Sequence, residues 1–341
     1  MKTVRKLIPI LLATVLSCAL FTGCGSSAPA QAPAQAQSPA QAQAAKAELR
    51  IAYQYGLAYA PLILCQKNGL LEKAYKEKTG NELTVVWNQM SSGADINTGF
   101  ASGSLDIGFM GIAPAITGIS KNVGYKIFTN LSGQEHGLMT NDPEISGFDD
   151  IIGSSSQIAL VNTGSIQHII LAKALSENGY DAHVLDSNIV AMKHPDGMST
   201  VESGSVACHL TSNPYIYKER DNSDLHEIEA VKSAWPADNS FIVGVASQDL
   251  HEKDPALYDA VCSAFGAAID MINGDMEGSA KITCEFNGNT PEDELKYMKA
   301  GSYGAETKGV LSLAKFMFAN GFVEKDFENY SDLVFDNVSG D

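Results

Sequence analysis

"ASGSLDIGFMGIAP" runs from Ala101 to Pro114, and "ESGSVACHLTSNP" runs from Glu202 to Pro214. Each joins a small-residue helix ending to a short apolar strand, then to a small polar turn that closes on proline. Proline suits the first turn of a helix, where its missing N–H would be unpaired anyway. Both stretches therefore read as strand-to-helix passages, corresponding parts of two similarly wound lobes facing one cleft. The second copy is one residue shorter between "SGS" and Pro, so coincidence stays open at this level.

Outward from these passages the chain alternates strand-like and helix-like runs, the pattern of a mostly parallel α/β sheet. "LRIAY" (Leu49 to Tyr53) and "LTVVW" (Leu83 to Trp87) read as strands, with "YAPLILCQKNGLLEK" as the helix between them. Ser92 and Asp95 have capping-box spacing, which predicts a helix from about Gly93 to Gly103. After Tyr125 to Ser132 the pattern restarts: strand Ser156 to Val161, turn "NTGS", helix "IQHIILAKALSENG", strand "VACHL", and helix "NPYIYKE". "FIVGVAS" (Phe241 to Ser247) reads as a strand returning to the first lobe, followed by helical runs to the C-terminus. The order predicts an α/β protein with two mostly parallel sheets and two chain crossings, near Leu131 to Gly137 and Phe241 to Gly244. One continuous doubly wound sheet is the alternative. The implied division is residues 48–135 plus 244–341 in one lobe and 136–243 in the other.

The N-terminus reads as an address. Lys2, Arg5 and Lys6 precede an apolar run from Leu7 to Phe21, short for a bilayer span and typical of a secretory signal. The run ends in "LFTGC", which resembles a lipobox and implies cleavage after residue 23 and lipidation of Cys24; Phe21 stands where that pattern prefers an aliphatic residue. Several acyl chains anchor stably where one would not. Residues 24–47 are rich in Ala, Gln, Pro and Ser and lack large apolar side chains, the composition of a disordered tether.

The formal net charge is −17, more negative once the basic signal is removed, which argues against a nucleic-acid partner. Capture of an anion would have to rest on local geometry against that field. Besides Cys24 and the signal's Cys18, Cys65, Cys208, Cys262 and Cys284 show neither CxxC nor metal-ligand spacing, so no metal and no specific disulfide is expected.

Taken together, the lipoprotein signal, the tether, "AYAPLILCQKNGLLEK", "ASGSLDIGFMGIAP", "VNTGSIQHIILAKAL" and "ESGSVACHLTSNPY" resemble the periplasmic-binding-protein-like substrate-binding proteins of ABC importers. The resemblance is to the nitrate, sulfonate and taurine group, which includes binders of thiamine-precursor pyrimidines. It implies a two-lobed type II fold that closes on a small solute, needs no cofactor, acts as a monomer and delivers its solute to a membrane permease.

In open sheets of this kind ligands bind outside the carboxyl ends of the strands, where helix N-termini present unpaired N–H groups. The turns there offer the candidates: Tyr53, Gln54, Tyr55 and Tyr59; Ser91, Ser92 and Gly93; Gly111 and Ala113; Asn162, Thr163, Gly164 and Ser165, with His168 one turn on; and His209, Thr211 and Asn213. The same residue types also cap helices without any ligand. Glu135 and His136, at the first crossing, read as hinge ties or as hydrogen-bonding partners of a ligand, and Trp235 as cleft wall, core or surface packing. None of these turns contains Arg or Lys, which disfavours a strongly charged oxyanion and suits a neutral or zwitterionic ring.

A pyrimidine-synthesising branch of the fold is enzymatic, but its cysteine-rich motif has no counterpart here, nor is there G-x-S-x-G, H-E-x-x-H or a phosphate-binding loop. A lipid-anchored sensor with the same cleft is the other rival.

Overall fold

The structure, a computed structural model, describes residues 47–341; the signal sequence, Cys24 and most of the tether lie outside the described residues. The first sheet contains β1 (Ala47–Tyr53), β2 (Leu83–Gln89), β3 (Ile107–Gly111), β4 (Tyr125–Gly133), β10 (Ile242–Ser247) and β11 (Ser302–Tyr303). The second contains β5 (His136–Thr140), β6 (Ile158–Leu160), β7 (Ile189–Ala191), β8 (Cys208–Ser212) and β9 (His226–Ile228). Their orders are β11-β4-β10-β3-β1-β2 and β7-β6-β8-β5-β9. Without β11 the two orders superpose in sense, with β3 and β8 at the same central position.

Each central strand runs parallel to one neighbour and antiparallel to the other. β3 is parallel to β1 and antiparallel to β10; β8 is parallel to β6 and antiparallel to β5. The sheets are thus mixed while most strands of each run one way, as the sequence pattern suggested: β10 and the two-residue β11 are reversed in the first and β5 in the second. The reason is that the strands next to each crossing, β5 and β10, enter from the opposite end. The three-residue strands β7 and β9 and the two-residue β11 were also unread in the sequence, because so short a run carries no periodicity.

Chain geometry follows from local chemistry. Arg50 in β1 grips Asp106 at the entrance to β3, with Nε and Nη2 donating to the two carboxylate oxygens at 2.9 and 2.7 Å. A bidentate pair of this kind fixes register as well as attraction. Ser92 caps the helix Gly93–Ala101 by accepting the Asp95 N–H, and Gly69 in the left-handed region (φ 59°) ends Ala60–Asn68. Beneath the first sheet Phe109 and Phe265 pack with ring centroids 4.5 Å apart. Phe265 belongs to Pro255–Gly274, a helix long and apolar enough to cross a membrane by composition but with half of that stretch buried in the protein.

The chain passes from the first sheet to the second between Gly133 and His136, and returns before Ile242. At the first passage Glu135 accepts hydrogen bonds from Arg220 and Tyr217, and Arg220 also grips Glu227. His136 is buried, its ring parallel to that of Phe241 with centroids 6.5 Å apart. Trp235 is core, 2 % exposed, and donates from Nε1 to the Ser240 carbonyl. Cys65, Cys208, Cys262 and Cys284 are all free.

Candidate ligand-binding site

A cavity of about 260 Å³ lies where the carboxyl ends of strands from both sheets meet. The first half contributes Gln54, Tyr55 and Tyr59 after β1, Ser91 and Gly93 after β2, and Gly111 and Pro114 after β3. The second half contributes Asn162 and Ser165 after β6, Lys193 and His194 after β7, and Ser212 at the end of β8 with Asn213 and Tyr215 after it. The helices Gly93–Ala101, Ile112–Ser120, Ile166–Glu177 and His194–Glu202 all begin at this wall. Some first-turn N–H groups are already taken, Asp95 by Ser92, His168 by Ser165 and Ile112 by the Phe241 carbonyl, and the partial positive charge of the four helix starts favours an acceptor-rich or anionic ligand.

Several wall groups are held in place by neighbours. Tyr59 donates to Gln54 Oε1 at 3.1 Å, and Gln54 Nε2 reaches the Ser91 carbonyl at 3.4 Å. Asn213 donates from Nδ2 to the Tyr297 carbonyl at 2.8 Å, while its Oδ1 is buried without a partner. Gly111 sits where the halves touch: a Cβ there would stand 2.8 Å from Ile166 Cγ2.

Of the residues proposed from sequence, Gln54, Tyr55, Tyr59, Ser91, Gly93, Gly111, Asn162, Ser165 and Asn213 line the cavity. The others do not. Tyr53 turns into the core against Trp87 and Phe286. Ser92 spends its hydroxyl on capping, and Ala113 is buried inside its helix. Thr163 and Gly164 shape the turn, where Gly164 has φ 82°. His168 folds back on that turn: Nδ1 accepts the Gly164 N–H at 2.9 Å, and Nε2 meets Asp186 at 2.9 Å. Both ring nitrogens are thereby spent away from the cleft. His209 and Thr211 lie within β8, are fully buried and are not among the residues lining the cavity.

The structure also adds residues that the sequence reading passed over: Gln167, Lys193, His194, Ser212 and Tyr215. Lys193 corrects the expectation of a site without a cation. Its Nζ stands 5.5 Å from the centre of the Tyr55 ring, a cation–π distance. No Asp or Glu is among the residues lining the cavity. The signal that could have found this wall is "KHP", Lys193 to Pro195, with proline in the first turn of a helix.

Behind His194 runs a buried chain of titratable groups. His194 Nδ1 is 3.2 Å from His209 Nε2, and His209 Nδ1 is 2.7 Å from Glu219 Oε1. On the cavity side His194 Nε2 is 3.1 Å from Gln167 and 3.4 Å from Ser212 Oγ. Burial pushes both imidazoles down to about 3, helped at His194 by the neighbouring His209. Burial, with the charge of Glu202, pushes the Glu219 carboxyl up to about 9. All three groups are therefore neutral near pH 7. The neutral histidines contribute stability that is complete above the ordinary imidazole range and is lost as pH falls toward about 3. Glu219 has the opposite sign: its contribution is complete below the ordinary carboxyl range and is lost as pH rises toward about 9.

Comparison with known proteins agrees with this architecture. Residues 42–286 match the model of the NMT1-like family. The chain is 26% identical over 272 residues to the taurine-binding periplasmic protein of Escherichia coli K12, covering 74% of this chain and 82% of that one. Among solved structures it is similar to the alkanesulfonate-binding protein of Xanthomonas axonopodis pv. citri bound to MOPS, with a TM-score of 0.67 and 16% identity over 87% of this chain and 100% of that one. It is also similar to the nitrate-binding protein of Synechocystis PCC 6803, with a TM-score of 0.63 and 12% identity over 84% of each chain. A Candida albicans protein described as having the generic periplasmic binding protein fold matches with a TM-score of 0.66 and 14% identity, over 86% of this chain and 97% of that one. The repeated strand-to-helix passages, the cleft between two mixed sheets and the family match converge: the chain belongs to the NMT1-like family and has the fold of the periplasmic binding proteins.

Proposed function

We infer that this protein is an extracytoplasmic solute-binding protein of an ABC importer, anchored through a lipid on Cys24 and a flexible tether, which captures a small organic anion between two lobes and hands it to a permease. The lobes would be residues 48–135 plus 244–341 and residues 136–243, acting as a monomer that closes about the crossings. The observation that carries the reading is the cavity wall: four helix N-termini and Lys193 border a space lined by Gln, Ser, Asn and Tyr beside apolar Val161, Ile166, Phe241 and Ile242, with no carboxylate among the lining residues, which suits an anionic head on an apolar body. That polarity favours a sulfonate-like anion. A taurine-like zwitterion would leave its ammonium without an acidic partner, and a neutral pyrimidine would leave Lys193 unused.

Thermal unfolding in the presence of ethanesulfonate, taurine, nitrate and a hydroxymethylpyrimidine tests the reading. A ligand at a hundred times its dissociation constant stabilises the folded state by about 2.7 kcal/mol. Ethanesulfonate is expected to raise Tm most. If none of the anions shifts Tm while the pyrimidine does, the anion assignment falls, and if none of the four does, solute capture of this class falls with it. Cys24→Ala is expected to release the protein from membranes into the soluble fraction; retention of that variant on membranes would refute the anchor.

A further inference from the structure

We propose that Glu219 is the positioning residue of the binding site: as a neutral acid it holds His209 and His194 in their Nε2–H tautomers, so that His194 offers an N–H to the ligand, and ionisation of Glu219 inverts that group into an acceptor. The proposal rests on the anion-binding reading above for the ligand's identity, and on geometry for the relay. Glu219 and His209 are both fully buried, and Glu219 Oε1 is 2.7 Å from His209 Nδ1. Glu219 Oε2 is buried with no hydrogen-bond partner. The Thr211 hydroxyl, itself buried without a partner, is the side-chain group that favours the charged form; burial outweighs it and favours the neutral acid, with Oε1–H donating to His209 Nδ1.

One proton position then dictates the next. His209, accepting at Nδ1, carries its hydrogen on Nε2 and donates to His194 Nδ1 across 3.2 Å. His194, accepting at Nδ1, must carry its hydrogen on Nε2, the atom beside Gln167 and Ser212 on the cavity wall. Gln167 presents its amide oxygen there after a half-turn, since the two ends of the amide are told apart only by their partners. The one Nε2–H is then shared between the Gln167 amide oxygen and a sulfonate or carboxylate oxygen in the cleft.

Loss of the Glu219 proton reverses every bond in the chain. The carboxylate accepts from His209 Nδ1–H, His209 Nε2 accepts from His194 Nδ1–H, and His194 Nε2 turns a lone pair to the cleft. The Gln167 amide turns its NH2 back to His194 Nε2, the arrangement in which it stands 3.1 Å away, and the net change is one proton lost to solvent. The carboxyl is held up at about 9, so the donor state persists through the neutral range. The charged and titratable groups around the relay are few. Glu202 acts on Glu219 from the end of the helix that begins at His194. On Glu219's own helix, Arg220 is engaged by Glu135 and Glu227, and Lys218 by Asn289. Tyr215 stacks on His194 with centroids 5.6 Å apart, and Lys193 with Tyr55 stands beside it in the cleft.

Nitrogen-15 spectra of the imidazoles test the relay without any ligand. The protein has seven histidines, and a His194→Gln sample assigns the signal that matters. Near pH 7, His194 and His209 are both expected as Nε2–H tautomers, crossing to Nδ1–H as pH rises through about 9. Glu219→Gln donates an amide N–H to His209 at any pH, so it should keep both rings as Nε2–H throughout. Relative to its own value near pH 7, ethanesulfonate affinity of that variant should fall at least about tenfold less than that of the wild type on going to alkaline pH. Lys193 is common to both proteins and cancels in that difference. An Nδ1–H tautomer on His194 near neutral pH, or the same alkaline crossing in Glu219→Gln, overturns the proposal. Should the variant fail to fold, the wild-type crossing decides it. If ethanesulfonate binds neither protein, the ligand reading fails while the tautomers still judge the relay.

Discussion

The two strand-to-helix passages solve one packing problem with the sizes exchanged. In the first half, Gly108 of β3 lies under the helix Gly93–Ala101, and a Cβ on it would strike Ile96 and Phe100 at 2.7 Å. In the second half, the equivalent position of β8 is His209, and it is the helix that gives way: a Cβ on Gly197 would stand 2.5 Å from the imidazole. The register makes the equivalence concrete, since Gly108 pairs with Ala52 of β1 as His209 pairs with Ala159 of β6. Interiors tolerate such exchanges when volume is conserved. The consequence is chemical: the first passage gives the cleft backbone and a proline wall, while the second places an imidazole where it can govern a neighbour on the cleft.

The reciprocal packing of the two halves is most sensitive at Gly197. Gly197→Ile should destabilise the protein by about 3 kcal/mol or more in denaturant unfolding, because the side chain enters the space of His209. Adding His209→Gly recreates the first half's arrangement and should recover much of that loss, a coupling of about 1–3 kcal/mol. Independent, additive effects of the two changes would show that the halves are not packed reciprocally.

A smaller effect is expected where the second half supplies charge. Lys193→Ala should weaken ethanesulfonate binding in calorimetry by roughly tenfold to a hundredfold, the range for loss of a charged hydrogen bond, with Tm of the free protein nearly unchanged because Lys193 is exposed. Unaltered affinity would move recognition away from the second half. Gly111→Ala probes the contact between halves and should have the smallest effect. Its φ of −55° suits alanine, so the cost is the clash with Ile166, about 1 kcal/mol. Ile166→Val in the same chain should relieve part of it, and failure to do so would place the strain elsewhere.

Much of the site was legible because turns at strand ends have a recognisable chemistry. Gln54, Ser91, Gly93, Gly111, Asn162 and Ser165 were found through small polar residues at the starts of helices, and all line the cavity. Capping and ligand contact use the same residue types, however, so Ser92 and His168 passed the same test and are spent elsewhere, Ser92 on the Asp95 N–H and His168 on the Gly164 N–H and Asp186. Lys193 and His194 escaped notice because the strand before them, Ile189–Ala191, is three residues long. His209 was singled out for the right strand and the wrong reach: it acts one side chain removed from the cleft.

By itself the sequence determined the alternation of strands and helices, the recurrence of the "SGS" passage and the turns that could face a ligand, because periodicity and turn chemistry are local. Tertiary structure alone decided that the sheets are mixed, that Lys193 supplies a cation to the cleft and that Glu219 stands behind His209. Those depend on which strand enters from which end and on which residues distant in the chain share a low-dielectric interior, where burial dictates the position of a proton.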